Sequence, residues 1–241
     1  VGSTNRTATY ASGSGSSMLV FQYTIQSGEN DSDGISIGAD AIALNGALLS
    51  DPIGFPAVLT HIAVSANSSY LVDAQAPPVI SFHLTDTALK VGETATVILV
   101  FAEAVVSFSS SDDITVSNGS LDNMISTDDN KTWTGTFTPT PNTEDATNTL
   151  SLGTGYTDTA GNTGAAATTA NYEVETLAPT ISGVAISSAT GVQNNFVNAG
   201  DVVSVTATFS ESVIVDNASG TPTLTLIVGS TNRTATYASG S

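Results

Sequence analysis

The chain has no cysteine, one tryptophan, two histidines and only four lysines and arginines together. Without cysteine, disulfides and thiolate metal sites are excluded, and so is a small disulfide-stapled secreted fold. Four cationic side chains stand against 22 acidic ones, for a net charge of −18. Such a surface repels phosphate, so neither nucleic acid nor an anionic membrane is an expected partner. The histidines, His61 and His83, each stand alone in a strand-like run. A histidine metal site and a catalytic triad are therefore not expected. No apolar run is long enough to make a membrane-spanning helix, so no membrane insertion is expected. No signal-peptide pattern is present either, and export signals and anchors are expected to lie elsewhere. Aromatic residues make up 6%, too few for a sugar-binding platform.

What is present is acid, hydroxyl and β-branched side chains. The carboxylates attract hard divalent cations, Ca2+ above all, which prefer oxygen ligands. Thr, Val and Ile suit pleated strands, and Gly, Asn, Asp and Pro suit turns. Between residues 201 and 211, Val203, Val205, Ala207 and Phe209 alternate with polar residues. That period of two marks a half-buried strand. Ala95, Val97, Leu99 and Phe101 form a matching set, and Met18–Ile25, Thr132–Phe137, Thr149–Leu152 and Leu224–Val228 read similarly. Asn118-Gly119 and Asp128-Asp129-Asn130 supply turns between them. Only ADAIALNGALL, within Gly34–Leu49, has room for a helical turn. Several short strands per hundred residues predict an all-β protein of β-sandwiches.

The chain also repeats itself. Residues 228–241 and residues 1–14 both read VGSTNRTATYASGS, an offset of 227. A period that long holds whole domains rather than one supersecondary unit. Within it, GDVVSVTATFSESV from Gly200 echoes GETATVILVFAEAV from Gly92, at an offset of 108. Ala-Pro precedes each, at Ala76-Pro77 and Ala178-Pro179. The expected organisation is therefore the C-terminal part of one domain at 1–76, a complete domain at 77–177, and the N-terminal part of the next at 178–241.

These segments resemble a family. The Ala-Pro opening, GETATVILVFAEAV, KTWTGTFTPTP and YTDTAGNTG are similar to bacterial immunoglobulin-like repeats of biofilm-associated and RTX-type adhesins. APTISGVAISSATG, NAGDVVSVTATFSESV, the stretch from YASGSG to DGISI, and SYLVDAQAP resemble a companion module of the same adhesins. The resemblance implies tandem immunoglobulin-like β-sandwiches in a rod-like array, outside the cell and at its surface. It implies extender domains that hold an adhesive tip, itself outside these residues, away from the cell. Their partners are neighbouring repeats joined head to tail. It further implies Ca2+ at the domain junctions. The acids that match are Glu103 and Glu211 after the inner strand, Asp73 and Glu175 in the linkers, and Asp158 with Asn162 in TDTAGN. One turn departs from the pattern: Asp51-Pro-Ile-Gly-Phe55 stands where Asp-x-Ala-Gly-Asn is expected, so an Asn ligand is missing there.

The remaining acids have plainer readings. Glu29, Asp31, Asp33, Gly34 and Asp40 have the spacing of an EF-hand loop. The flanking QYTIQSG and GISI read as strands, so an acidic hairpin is expected instead. Asp112-Asp113 and Asp128-Asp129 are expected to be solvated turns, and Trp133 a sandwich aromatic. No pair of carboxylates is placed across a cleft as a glycosidase needs, so no enzyme is expected. The competing function is a glycan-, ice- or host-surface-binding module, which needs exposed aromatics or flat threonine arrays.

Overall fold

The computed structural model describes residue 2 and residues 4–240. It is nearly all β, with 23 strands and one four-residue helix among the described residues. The chain divides into two compact units, residues 1–176 and 177–241.

The first unit opens with three two-stranded ladders. β1 (Thr9–Ser12) pairs antiparallel with β2 (Val20–Gln22), β3 (Asn30–Asp31) is followed by β4 (Ile35–Ile37), β4 pairs with β5 (Val64–Asn67), and β3 pairs with β6 (Val72–Asp73). Between β4 and β5 the chain is turns and extended backbone, so the helical turn for which 34–49 has room is not formed. Its apolar residues, Ile42 and Leu48, are exposed. The acidic hairpin expected across residues 29–40 is not formed: β3 pairs with β6 and β4 with β5, not with each other, and Glu29 and Asp31 are buried. Glu29 accepts hydrogen bonds from the Tyr23 hydroxyl at 2.5 Å, from the Gln26 N–H at 2.9 Å and from Arg6 Nε. Those donors hold its carboxyl below the usual carboxylate range, the tyrosine first. Asp31 accepts from the N–H groups of Gly2, at 2.7 Å, and Gly34, at 3.0 Å. Protein donors thus satisfy both carboxylates, which is the arrangement that burying a charge requires.

The rest of the unit is a complete two-layer sandwich. β7 (Val79–Leu84), β8 (Ala88–Lys90), β9 (Ala95–Phe101) and β10 (Val105–Val106) lead to helix α1 (Ser110–Asp113). β11 (Ile114–Thr115), β12 (Gly119–Leu121), β13 (Ile125–Ser126), β14 (Thr132–Pro139) and β15 (Glu144–Asn148) follow. β16 (Ser151–Leu152), β17 (Thr157–Asp158), β18 (Ala167–Thr168) and β19 (Tyr172–Glu175) complete it. One layer runs β12-β14-β9-β7, with β13 also on β14. Facing it are the ladders β15-β19-β8, β11-β16-β18 and β10-β17. β8 and β19 are the parallel pair among these ladders, in the register Leu89↔Val174.

The core follows from the alternation. Ala95, Val97, Leu99 and Phe101 point inward from β9 and are buried, as read from the sequence. They meet Phe137 from β14 and Leu89, Leu150, Tyr156, Tyr172 and Val174 from the opposite layer. Phe137 packs edge-on to Tyr172, with ring centroids 5.1 Å apart. Gly119 lies against that pair, where a Cβ would come within 2.2 Å of the Phe137 ring. Trp133 is a sandwich aromatic, 4.8 Å from Phe108. Burial raises the Tyr172 hydroxyl to about 12, and the hydroxyl donates to the Ser117 carbonyl.

Of the two acidic pairs, Asp128-Asp129 is an exposed turn. Asp113 is not: it is buried and accepts from the Ser109 N–H at 2.9 Å, across the foot of the helix. The helix is one turn of Ser and Asp, too short and too polar to leave a helical period in the sequence.

The second unit, described by itself, is two hairpins. β20 (Ile181–Ala189) pairs with β21 (Val203–Phe209), and β22 (Thr223–Val228) pairs with β23 (Thr231–Thr236).

Candidate metal centre

Three loops and ladders bring acids together at one end of the sandwich. Asp73 ends β6, where it pairs with Asn30. Glu103 lies in the bend between β9 and β10. Asp158 ends β17, directly opposite Val105 of β10. One carboxylate oxygen from each of Asp73, Glu103 and Asp158 lies within 4.8 Å of the others. Asp158 is 1% exposed, and the other two are half-buried.

Asp158 owes its burial to the turn it caps. Its Oδ1 accepts from the N–H groups of Ala160, at 2.8 Å, and Asn162, at 2.9 Å. Its own N–H donates to the Asn162 carbonyl at 3.1 Å. Gly161 takes φ +92° inside this turn, a region open to glycine at little cost. Asn162 joins the cluster through its amide: Nδ2 donates to Asp158 Oδ2 at 2.7 Å and to the Asp73 carbonyl at 3.1 Å. Asn162 thus ties the strand end at Asp73 to the sandwich, and a flip of the amide would present its oxygen instead.

The charges are strained against one another. Burial, then the neighbouring Asp73 and Asp158 carboxylates, raise Glu103 above its ordinary value of 4.5, and Lys131 offsets part of this. Lys131 is not legible as a neighbour of the site, because it lies far from Glu103 in sequence and the KTWTGTFTPTP run it opens reads only as a strand. A raised carboxyl means the folded state holds its proton more tightly than the unfolded chain does. Ionising Glu103 therefore costs stability as pH rises from the ordinary value through the raised one. In divalent-free buffer, the Glu103 carboxyl resonance is expected to titrate with a midpoint above 4.5. Added Ca2+ should lower that midpoint, and a midpoint that Ca2+ leaves in place would count against cation binding here.

The donor set fits a hard divalent ion. Calcium takes carboxylate, carbonyl and amide oxygens at about 2.3–2.6 Å, so two ligands of one ion are at most about 5 Å apart. The three carboxylates meet that limit without moving apart.

The other acids singled out by sequence do not join this cluster. Glu175 ends β19, opposite Glu144 on one side and Lys90 on the other. Glu211 lies in the second unit, just beyond the end of β21, and is half-buried. The Asp51 turn reproduces the Asp158 turn, with Asp51 Oδ1 accepting from the N–H groups of Ile53, at 3.0 Å, and Phe55, at 2.8 Å. Phe55 holds the place of the asparagine and is exposed. His61 is engaged by backbone, with Nε2 accepting from the Ala41 N–H at 2.9 Å.

The model of the bacterial Ig-like domain family matches residues 73–174. That span is the complete sandwich, together with the strand end that carries Asp73. It is a bacterial Ig-like domain. The match leaves more than half of the chain outside it. No curated protein and no solved structure matches the chain. Ig-like domains of this family are structural and typically non-enzymatic, and they are commonly extracellular. Among the described residues, no helix is long and apolar enough to cross a membrane.

Proposed function

We propose that this chain is a structural extender module of a repetitive bacterial cell-surface adhesin or extracellular filament. It works outside the cell, in support of adhesion or biofilm formation, with neighbouring repeats joined head to tail. In this reading Ca2+ binds Asp73, Glu103 and Asp158, with Asn162 beside them, and stiffens the junction ahead of the Ig-like domain. One observation carries it: an acid on the strand that leads into the domain converges with one acid from a bend and one from a strand end of that domain. A cation held by all three would fix the direction of the linker relative to the sandwich. Without it, three carboxylates repel and the junction is free to bend.

The test is thermal. Extracellular calcium modules bind at roughly 10⁻⁴–10⁻³ M. At a hundredfold excess over Kd, one site adds about 2.7 kcal/mol to the folded state. For a domain of this size that is an upward shift in Tm of about 10–20 °C. Scanning calorimetry in Ca2+ and in excess EGTA, at equal ionic strength, should show it. Superimposable melting curves would remove calcium from this reading.

A further inference from the structure

We propose that Asp128 is a positioning residue of the candidate metal centre: through the turn it organises, residues 126–132, it holds the bend that brings Glu103 to Asp73 and Asp158. The inference rests on the calcium reading above and adds to it a residue outside the three carboxylates. The bend is short, residues 102–104 between the end of β9 and the start of β10. Both of its flanks are tied to that turn. The Phe101 N–H donates to the Lys131 carbonyl at 2.9 Å, and the Val105 N–H donates to the Asn130 carbonyl at 3.2 Å. Val105 also stands opposite Asp158 in the β10–β17 ladder. The bend is thus held between the turn and the strand that carries Asp158, with Glu103 at its middle.

The turn needs a particular backbone to do this. Along a strand ladder, successive residues bond alternately to one side and the other. Asn130 and Lys131 are successive, yet both carbonyls meet the same bend. Left-handed backbone at Asp129 and Asn130, with φ 55° and 64°, turns the chain so that both can reach it. Two such residues in a row are uncommon outside glycine and persist only where neighbouring contacts hold them. Asp128 supplies those contacts. Its Oδ1 accepts from the Thr132 N–H at 2.7 Å and from the Ser126 hydroxyl at 3.0 Å. The Ser126 oxygen in turn accepts from the Asn130 N–H at 3.1 Å. Hydrogen bonds from Thr132, the hydroxyl first and then the N–H, hold the Asp128 carboxyl below the usual carboxylate range. The Trp133 indole N–H also donates to the Asn130 carbonyl, at 3.2 Å, and its ring packs on Phe108, which roots the turn in the core.

Metal ligands are aimed by outer groups that hydrogen-bond around them, and losing one such group weakens metal binding about 10–100-fold. Asp128 acts one step further out, on the backbone that carries a ligand, so the loss expected from Asp128→Ala is at the low end, about tenfold. Simple attraction of cations by an acidic turn predicts something else. Asp129 is the adjacent acid and is likewise exposed, so the two would then matter alike. An exposed charge in salt changes binding by no more than about fivefold.

Titration of the full chain with Ca2+ at constant ionic strength, read from the Glu103 carboxyl resonance, tests the proposal together with amide hydrogen exchange in EGTA. Asp128→Ala should raise the Ca2+ midpoint about tenfold. In EGTA it should speed exchange of the Phe101 and Val105 N–H groups, the two that the turn accepts. Asp128→Asn keeps the accepting oxygen without the charge and should restore both properties. Asp129→Asn removes the same charge, suits left-handed backbone, and should move the midpoint by no more than about fivefold with exchange unchanged. Retained protection at Val97 and Leu99 would show that the variants are folded. Should Asp128→Ala not fold, Ser126→Ala removes the acceptor of the Asn130 N–H and should raise the midpoint in the same direction. A parental midpoint in Asp128→Ala would overturn the proposal whatever the exchange rates. So would Asp128→Asn and Asp129→Asn that lose as much affinity as Asp128→Ala. An unsubstituted chain whose Glu103 resonance ignores Ca2+ would remove the calcium reading and this inference together. Tight binding that is indifferent to Asp128 would remove this inference alone.

Discussion

Phe137→Ala is expected to destabilise the Ig-like domain by about 3–5 kcal/mol, the usual cost of emptying a buried aromatic site. Phe137 is fully buried between the layers, and its ring meets Tyr172 edge-on at 5.1 Å. The site cannot collapse easily. Gly119 offers no side chain to move in, and the Tyr172 hydroxyl is fixed on the Ser117 carbonyl. A loss of this size is comparable to the whole stability of many domains. Partial unfolding at ambient temperature is therefore expected. Urea denaturation followed by emission of Trp133, the only tryptophan, measures it. Ile125→Ala is the control. Ile125 lies in a strand of the same layer but is 65% exposed, and its loss should cost no more than about 0.5 kcal/mol. Similar losses for the two variants would mean that the layers do not pack as described.

The second large effect separates two carboxylates of the candidate metal centre. Asp158→Ala removes an acceptor of two backbone N–H groups and of the Asn162 amide. An unpaired buried donor costs about 1–3 kcal/mol, and because Ala160 is exposed and Asn162 only half-buried, water takes up part of that loss here. The turn should therefore loosen even without cation, and the calcium response should vanish. Glu103→Gln should behave differently. It removes a carboxylate raised by burial and by its acidic neighbours. The variant should be at least as stable as the parent in EGTA at neutral pH, yet should lose the calcium-dependent rise in Tm. Calorimetry of both variants, with and without Ca2+, decides the matter. A Glu103→Gln protein that keeps the full calcium shift would show that Glu103 is not a ligand.

The inner strands are legible in the sequence because a half-buried strand advertises itself. Ala95, Val97, Leu99 and Phe101 alternate without a fault, and the structure buries all four. Short ladders are less so. Of the run Met18–Ile25, only Val20–Gln22 is strand, because a pattern of side chains does not reveal where hydrogen-bonded partners stop. Asp113 misleads for a related reason. An Asp in a polar stretch looks solvated until a neighbouring N–H is found pointing at it. Asp73, Glu103 and Asp158 come from three segments far apart in the chain, and no local spacing announces their cluster. They stand out only through family resemblance, which also suggests Glu175 and Glu211. Strand register shows why Glu175 lies apart: it is held in β19 between Glu144 and Lys90.

The parallel ladder between β8 and β19 has a mechanical meaning. β8 lies near the start of the Ig-like domain and β19 at its end, and the two run side by side in the same direction. Tension applied to the two ends of the domain pulls these strands in opposite senses along their length. The hydrogen bonds between them are then loaded in shear, all together, instead of being peeled open one at a time. Rupture must break the whole ladder at once and drag Leu89 and Val174, both fully buried, through the core. The domain is therefore built to resist stretching along its chain direction better than its modest core alone would suggest.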